Sequence, residues 1–251
     1  MRTTRPGHCR TRLQVEYVAR PRAVHSQLME IDVSVVRVFT DDAGQQGNAL
    51  GIVDAAAVAE PQRQELAAQL AFSETVFVDS DGSQIASATI FTPAVELPFA
   101  GHPTVGLSWW LRGQGTPVHT LSVPAGNVRV RYDGDMTWVR SRAAWAPEFE
   151  LHHVPSVDEV EATDPTAFTE GHHYVWAWID EEAGQIRSRM FAPSMGVAED
   201  EATGAAAVRI TDAPGRGLTI TQGRGSQLVT TLSDGWIELG GRTVAEKTFT
   251  V

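Results

Sequence analysis

Cysteine is nearly absent: Cys9 is the only one in 251 residues. No disulfide can close within the chain, no cysteine cluster can hold a metal, and no racemase with two catalytic thiols can be built. A cytoplasmic setting is expected. Long apolar runs are missing, so no stretch reaches the roughly 20 residues that a membrane helix needs. Positive charge is scarce, with 20 basic against 31 acidic residues and a net charge of −11. That balance argues against nucleic acid or an anionic membrane as the main partner. No G-x-S-x-G elbow appears, which disfavours a serine hydrolase, and no dinucleotide fingerprint appears. The glycine-rich "QGRGSQ" (222–227) lacks the lysine and spacing of a phosphate loop.

What is present reads as a soluble globular chain, 42% hydrophobic and 20% charged, long enough for one large domain or two small ones. Residues 1–30 carry six arginines against Glu16 and Glu30, a local charge of +4 that leaves −15 elsewhere. This segment has no lasting apolar periodicity and no secretory apolar core. Residues 1–29 are therefore expected to be a basic, disordered extension, with Met29 an alternative start.

From "IDVSVVRVFT" onward, alternation predicts strands. "DDAGQQGNALGIV" reads as a turn into a second strand, and "PQRQELAAQLAF" as an amphipathic helix with Pro61 in its first turn. "SETVFVDSDGSQIASATIFTP" reads as strand, Asp-Gly turn, strand. A helix is predicted from about Pro103, stopped at glycine. The second half repeats the theme. "HHYVWAWIDEEAGQIRSRMFAP" is strand–turn–strand, "EDEATGAAAVRI" a small-residue helix, and "GLTITQ", "SQLVTTL", "GWIELGG" and "TVAEKTFTV" short strands separated by turns. Phe91-x-Pro93 and Phe191-x-Pro193 lie 100 residues apart, each followed by a loop and a Gly/Thr-rich helix start. This points to a duplicated α+β unit with a cleft between the copies.

Four positions draw chemical attention. Glu74, between a helix and an apolar strand, suits a general acid/base whose pKa burial would raise; a turn-capping carboxylate is the plain alternative. His102 in "AGHPTVG" precedes a proline, which favours extended backbone there and a helix start after it. It is either a solvated cap or a site residue, and Gly101 would let a ligand approach the backbone. Asp200 in "AEDEATGAAA" is either an ordinary N-cap or a contact to a substrate amine or hydroxyl. Asn48 in "QGNALG" is the fourth. Two helix N-termini facing one cleft would bind a carboxylate and stabilise enolate-like charge. The pairs His152–His153 and His172–His173 have no partner at metal-ligand spacing and read as surface or strand-edge histidines.

Together, "GNALGIV", "SETVFV", "FTPAVELPFAGHPTVG" and "RMFAPSMGVAEDEATGAAA" resemble the PhzF family of phenazine-biosynthesis isomerases and relatives, from about residue 31 onward. The resemblance implies a diaminopimelate-epimerase-like fold: two pseudo-symmetric domains, each a barrel-like, mostly antiparallel sheet around a central helix. The implied division is 30–122 and 123–242, with strand 243–251 returning to the first domain. In the PhzF branch a glutamate replaces the two cysteines of the related racemases. By resemblance, Glu74 is the proton-shuttling acid/base, His102 assists it, and Asp200 is the third catalytic residue. Asn48, Ser73, Gly101, Thr203, Gly204 and Ala205 would contact substrate. A homodimer is expected, with no cofactor and no metal.

The sequence departs from the family pattern in three places. Glu201 stands where the family has proline, Ala205 where it has serine, and the loop "QGRGS" is compressed. The resulting expectation is a cofactor-independent isomerase or epimerase acting on a small carboxylated metabolite. The alternative is a non-catalytic small-molecule-binding protein on the same fold. A hydrolase would need an activated water or nucleophile near His102, and no partner arrangement for one is visible.

Overall fold

The computed structural model describes residues 30–193 and 197–251. The basic arm of residues 1–29, Cys9 included, lies outside the described residues. Among those described, no helix is long and apolar enough to cross a membrane.

The fold is α+β, two similar sheets each wrapped on a helix. In the first half, β1 (Asp32–Thr40), β2 (Asn48–Asp54), β3 (Glu74–Asp79) and β4 (Ile85–Phe91) lie side by side. The short β5 (Glu96–Leu97) pairs with β4, and β6 (Thr120–Val123), β7 (Gly126–Asp133) and β8 (Met136–Ser141) extend the sheet. The ring closes through β15 (Trp236–Thr250), which pairs with both β8 and β1. Eight strands thus enclose α2 (Gly101–Gly113), whose residues 101–108 are all buried.

The second half repeats the wiring with β9 (Glu150–His153), β10 (His173–Asp180), β11 (Gln185–Ala192), β12 (Val197–Asp200), β13 (Thr219–Gln222) and β14 (Ser226–Ser233). β9 runs parallel to β10 as β2 does to β3, and β12 folds onto β11 as β5 does onto β4. β13 joins β11 in parallel as β6 joins β4. The counterpart of α2 is α4 (Gly204–Asp212), whose apolar face lies against β14 and β15. The repeated Phe-x-Pro motif marks the ends of β4 and β11, which occupy equivalent places.

Alternation sorts the side chains. Val76, Val78 and Ile90 face the interior around α2, while Phe77 and Phe91 point outward and meet edge-to-face at 5.4 Å. Outside, α1 (Glu60–Leu70) covers them with Leu66 and Ala67, its only buried residues, so its apolar face is narrower than the sequence suggests. Along β1 the alternation holds as far as Val38, with Val33 and Val35 facing out and Val36 and Val38 facing in, and it breaks at Phe39, which also faces in. The register shift between Val38 and Thr40 accounts for this: Phe39, at φ 66°, is the extra residue, and one extra residue turns the side chains after it to the other face.

Three sequence expectations are corrected. "GWIELGG" and "TVAEKTFTV" form one 15-residue strand, not two. Gly240 and Gly241 lie within that strand, where a Cβ at Gly240 would be 2.4 Å from the Trp138 indole and one at Gly241 2.2 Å from Phe39. Helix α2 starts at Gly101, two residues early, placing Pro103 within the first turn, where a missing N–H costs nothing. Helix α4 starts only at Gly204, with Thr203 at the N-cap position, so Asp200 ends a strand and is not an N-cap.

Candidate active site

The central helices begin against one another. A Cβ on Gly101 would sit 2.5 Å from Leu239 Cδ2 and 3.1 Å from the Gly204 Cα, and one on Gly204 would sit 2.8 Å from the His102 nitrogen. Glycine at position 101 thus allows the close approach of α4 and Leu239. Neither helix start carries a side-chain cap, since neither Ala100 nor Thr203 at the N-caps accepts a bond from a first-turn N–H.

His102 sits at the start of α2 and is buried. It is no solvated cap. Its Nε2 lies 3.2 Å from the Asn48 carbonyl oxygen, which can only accept, so Nε2 carries the hydrogen. Its Nδ1 lies 2.9 Å from Oε2 of Glu74, at the first residue of β3. A contact that short between a ring nitrogen and a carboxyl oxygen holds one shared proton. The His102 side chain is 3% exposed and that of Glu74 19%, so the carboxyl is the member that reaches open space.

Asn48 links this pair to the second half. Its Nδ2 donates to Oδ1 of Asp200 at 2.7 Å, and its Oδ1 accepts from Ser73 Oγ at 2.9 Å. Thr203 Oγ1 donates to Oδ2 of Asp200, and Gln222 Nε2 donates to Thr203 Oγ1 at 2.8 Å. The Asp200 carboxyl is pushed up to about 6, first by desolvation and then by the negative charge of Glu74. The bonds from Thr203 and Asn48 and the nearby His102 pull the other way. Glu74 and Asp200 thus form two carboxyls in one electrostatic unit.

Gln222 was not singled out from sequence. It is fully buried and its Oε1 has no partner among the described residues. The position after "TIT" in an apparently ordinary strand gave no signal. Glu201, where the family has proline, is also explained. Its carboxylate accepts from the Arg224 N–H at 3.1 Å, from Arg224 Nε at 3.0 Å and from Ser226 Oγ at 2.7 Å. Ser226 Oγ in turn accepts from the Gly47 N–H at 2.9 Å. The compressed loop is thereby fastened beside Asn48. Ala205, the second residue of α4, offers no hydroxyl. A cleft of about 560 Å³ is lined by residues such as Asp41, Trp109, Arg112 and Arg242, and includes none of this cluster. The cluster is a candidate on its chemistry, not on cavity size.

Residues 36–171 match the model of a phenazine biosynthesis-like family, PhzC-PhzF. A trans-2,3-dihydro-3-hydroxyanthranilate isomerase of Pseudomonas fluorescens is 30% identical over 202 residues, covering 64% of this chain and 72% of that protein. An uncharacterized isomerase of Pasteurella multocida is 39% identical over 92 residues, 35% of this chain and only 32% of that protein's length. The crystal structure of a PhzF-family protein from Enterococcus faecalis superposes with a TM-score of 0.73 at 17% identity. It covers 89% of this chain and 99% of that one.

Proposed function

This chain belongs to the PhzC-PhzF, phenazine biosynthesis-like family, and we propose that it is a cofactor-independent isomerase moving a proton within a small carboxylated substrate. The observation that carries the reading is the Glu74–His102 contact at 2.9 Å, with the far side of the ring fixed by a main-chain carbonyl. In its ion-pair form, His102 holds the shared proton and Glu74 keeps an oxygen for the substrate. Glu74 takes a proton from a carbon next to the substrate carboxylate. The C–H electron pair moves into the conjugated system, and Glu74 returns the proton to another carbon of that system. The uncapped starts of α2 and α4 offer N–H groups for the substrate carboxylate and for the charge that develops beside it. Asp200, held by Asn48 and Thr203, is the contact for a substrate amine or hydroxyl.

Solvent-exchange NMR tests this reading. The protein is incubated in D₂O with a panel of carboxylated amino acids and hydroxy-diene acids, beside Glu74→Gln. Deuterium entering a substrate carbon with wild type and not with the variant is expected; equal incorporation by both overturns the role of Glu74. Ala205, which removes a hydroxyl from the α4 start, favours a second reading as a non-catalytic binder. That reading predicts ligand shifts without deuterium incorporation.

A further inference from the structure

The parallel pairing of β9 with β10 sets Glu150 opposite His173, while period-two alternation puts Glu150 and His152 on one face of β9. Residues far apart in sequence thereby converge. His152 Nε2 lies 3.1 Å from His173 Nδ1, Glu150 Oε2 3.5 Å from His173 Nδ1, and Glu150 Oε2 3.9 Å from His152 Nε2. All three ligand atoms fall within 4.8 Å of one another. Bonds of about 2.0–2.2 Å to a tetrahedral ion would separate ligand atoms by about 3.3–3.6 Å. The observed separations bracket that distance with no backbone movement required.

The ring of His173 is already oriented for such a role. Its side chain is 10% exposed, and its Nε2 contacts the Glu170 carbonyl oxygen, which can only accept. Nε2 therefore carries the hydrogen, and Nδ1 presents its lone pair to His152 and Glu150. Fixing a histidine ligand's tautomer by a bond from its other nitrogen to a carbonyl is the usual outer-shell arrangement of metal sites. Phe168 stacks on the His173 ring at 4.4 Å and packs on Phe191, backing the cluster with apolar surface.

We infer that Glu150, His152 and His173 form a binding site for a divalent transition-metal ion of the zinc or cobalt class. Two imidazoles and one carboxylate select such ions over magnesium or calcium. Metal entry requires only that His152 carry its hydrogen on Nδ1, so both rings stay neutral. The ion would clamp β9, the strand at the end of the sheet, to β10. This inference is independent of the reaction proposed above.

The test uses tag-free, chelator-treated full-length protein carrying Cys9→Ser, which removes the one thiol as a rival ligand. Cobalt(II) is titrated with detection of its visible absorption, and zinc by calorimetry. One ion per chain is expected. His152→Ala and Glu150→Gln, both at solvent-accessible side chains, should each weaken binding at least about tenfold, the loss that even an outer-shell change produces. His119→Ala, at an exposed histidine elsewhere, should bind like the parent. Zinc should also slow amide exchange in residues 150–153, and His152→Ala should abolish that slowing. Absence of stoichiometric binding, or undiminished binding by His152→Ala, overturns the site.

Discussion

The first half of the molecule wraps α2 in a closed ring of eight strands, whereas the second wraps α4 in a ring broken between β8 and β9 among the described residues. β1 and β8 are equivalent, since each pairs with one part of β15. β1 also pairs with β2, but β8 makes no ladder with β9. The chemistry divides the same way. Thr75 pairs with Phe91 and His173 pairs with Phe191, so the counterpart of Glu74 is His172. The residue after the first helical glycine is His102 in α2 and Ala205 in α4. At these equivalent positions the duplicated frame thus carries a carboxylate–imidazole pair on one side only. From the second half comes Asp200, on β12. One base serving two carbons of a substrate suits a proton shift better than a two-base epimerisation.

The strongest way to break this comparison is Glu74→Gln. Exchange should fall about 10²–10⁴-fold, the usual share of a general acid/base, in the NMR assay above. If His172 could substitute for it, the loss would be far smaller and the asymmetry would be false. Next is the seam between the halves. Gly204→Ala pushes a methyl against His102 and Leu239 and should destabilise by about 1–3 kcal/mol, the typical overpacking cost, read by urea denaturation. A stability equal to wild type would mean the helix starts are not closely fitted.

Edge strands open more easily than paired ones. Without added metal, amides of β9 should exchange at least roughly tenfold faster than those of β1, by mass spectrometry. Equal protection would show the second ring to be as firmly closed as the first.

The smallest expected effect concerns Asp200. Its folded carboxyl titrates at about 6, above its ordinary value. The folded state therefore holds its proton in a pH range where the unfolded chain has released it. The contribution to stability is complete below the ordinary carboxylate range and is lost as pH rises through about 6. Asp200→Asn should raise Tm relative to wild type at pH 7.5, and the advantage should fade by pH 4. A gain that does not change with pH would assign it to packing instead.

Much of the frame is legible in the sequence, because alternation and turn residues are local signals. The Phe-x-Pro repeat and the two helix starts mark the duplication. What escaped reading depends on contacts distant in sequence. The bulge at Phe39 puts two successive apolar residues, Val38 and Phe39, on one face, so no hydropathy pattern reveals it. Gly240 and Gly241 look like turn residues until Trp138 and Phe39 are seen packed on them. In the site, Glu74, His102, Asn48 and Asp200 could be picked out by residue type and motif. Gln222 could not, since a buried amide in a short strand has no pattern. Nor could Glu150 with His152 and His173, since only a parallel ladder unites them.

The long strand β15 also sets a schedule. Thr250 Oγ1 donates to Asp32 Oδ1 across 218 residues of chain, and β1 relies on residues 242–250 for one of its ladders. At ribosomal speeds of about 5–20 residues per second, β1 waits roughly 10–45 seconds for its partner. Throughout that interval the first ring has a gap where β15 will lie, with an apolar lining on view. A nascent chain of this kind has reason to be met by a chaperone before its last strand arrives.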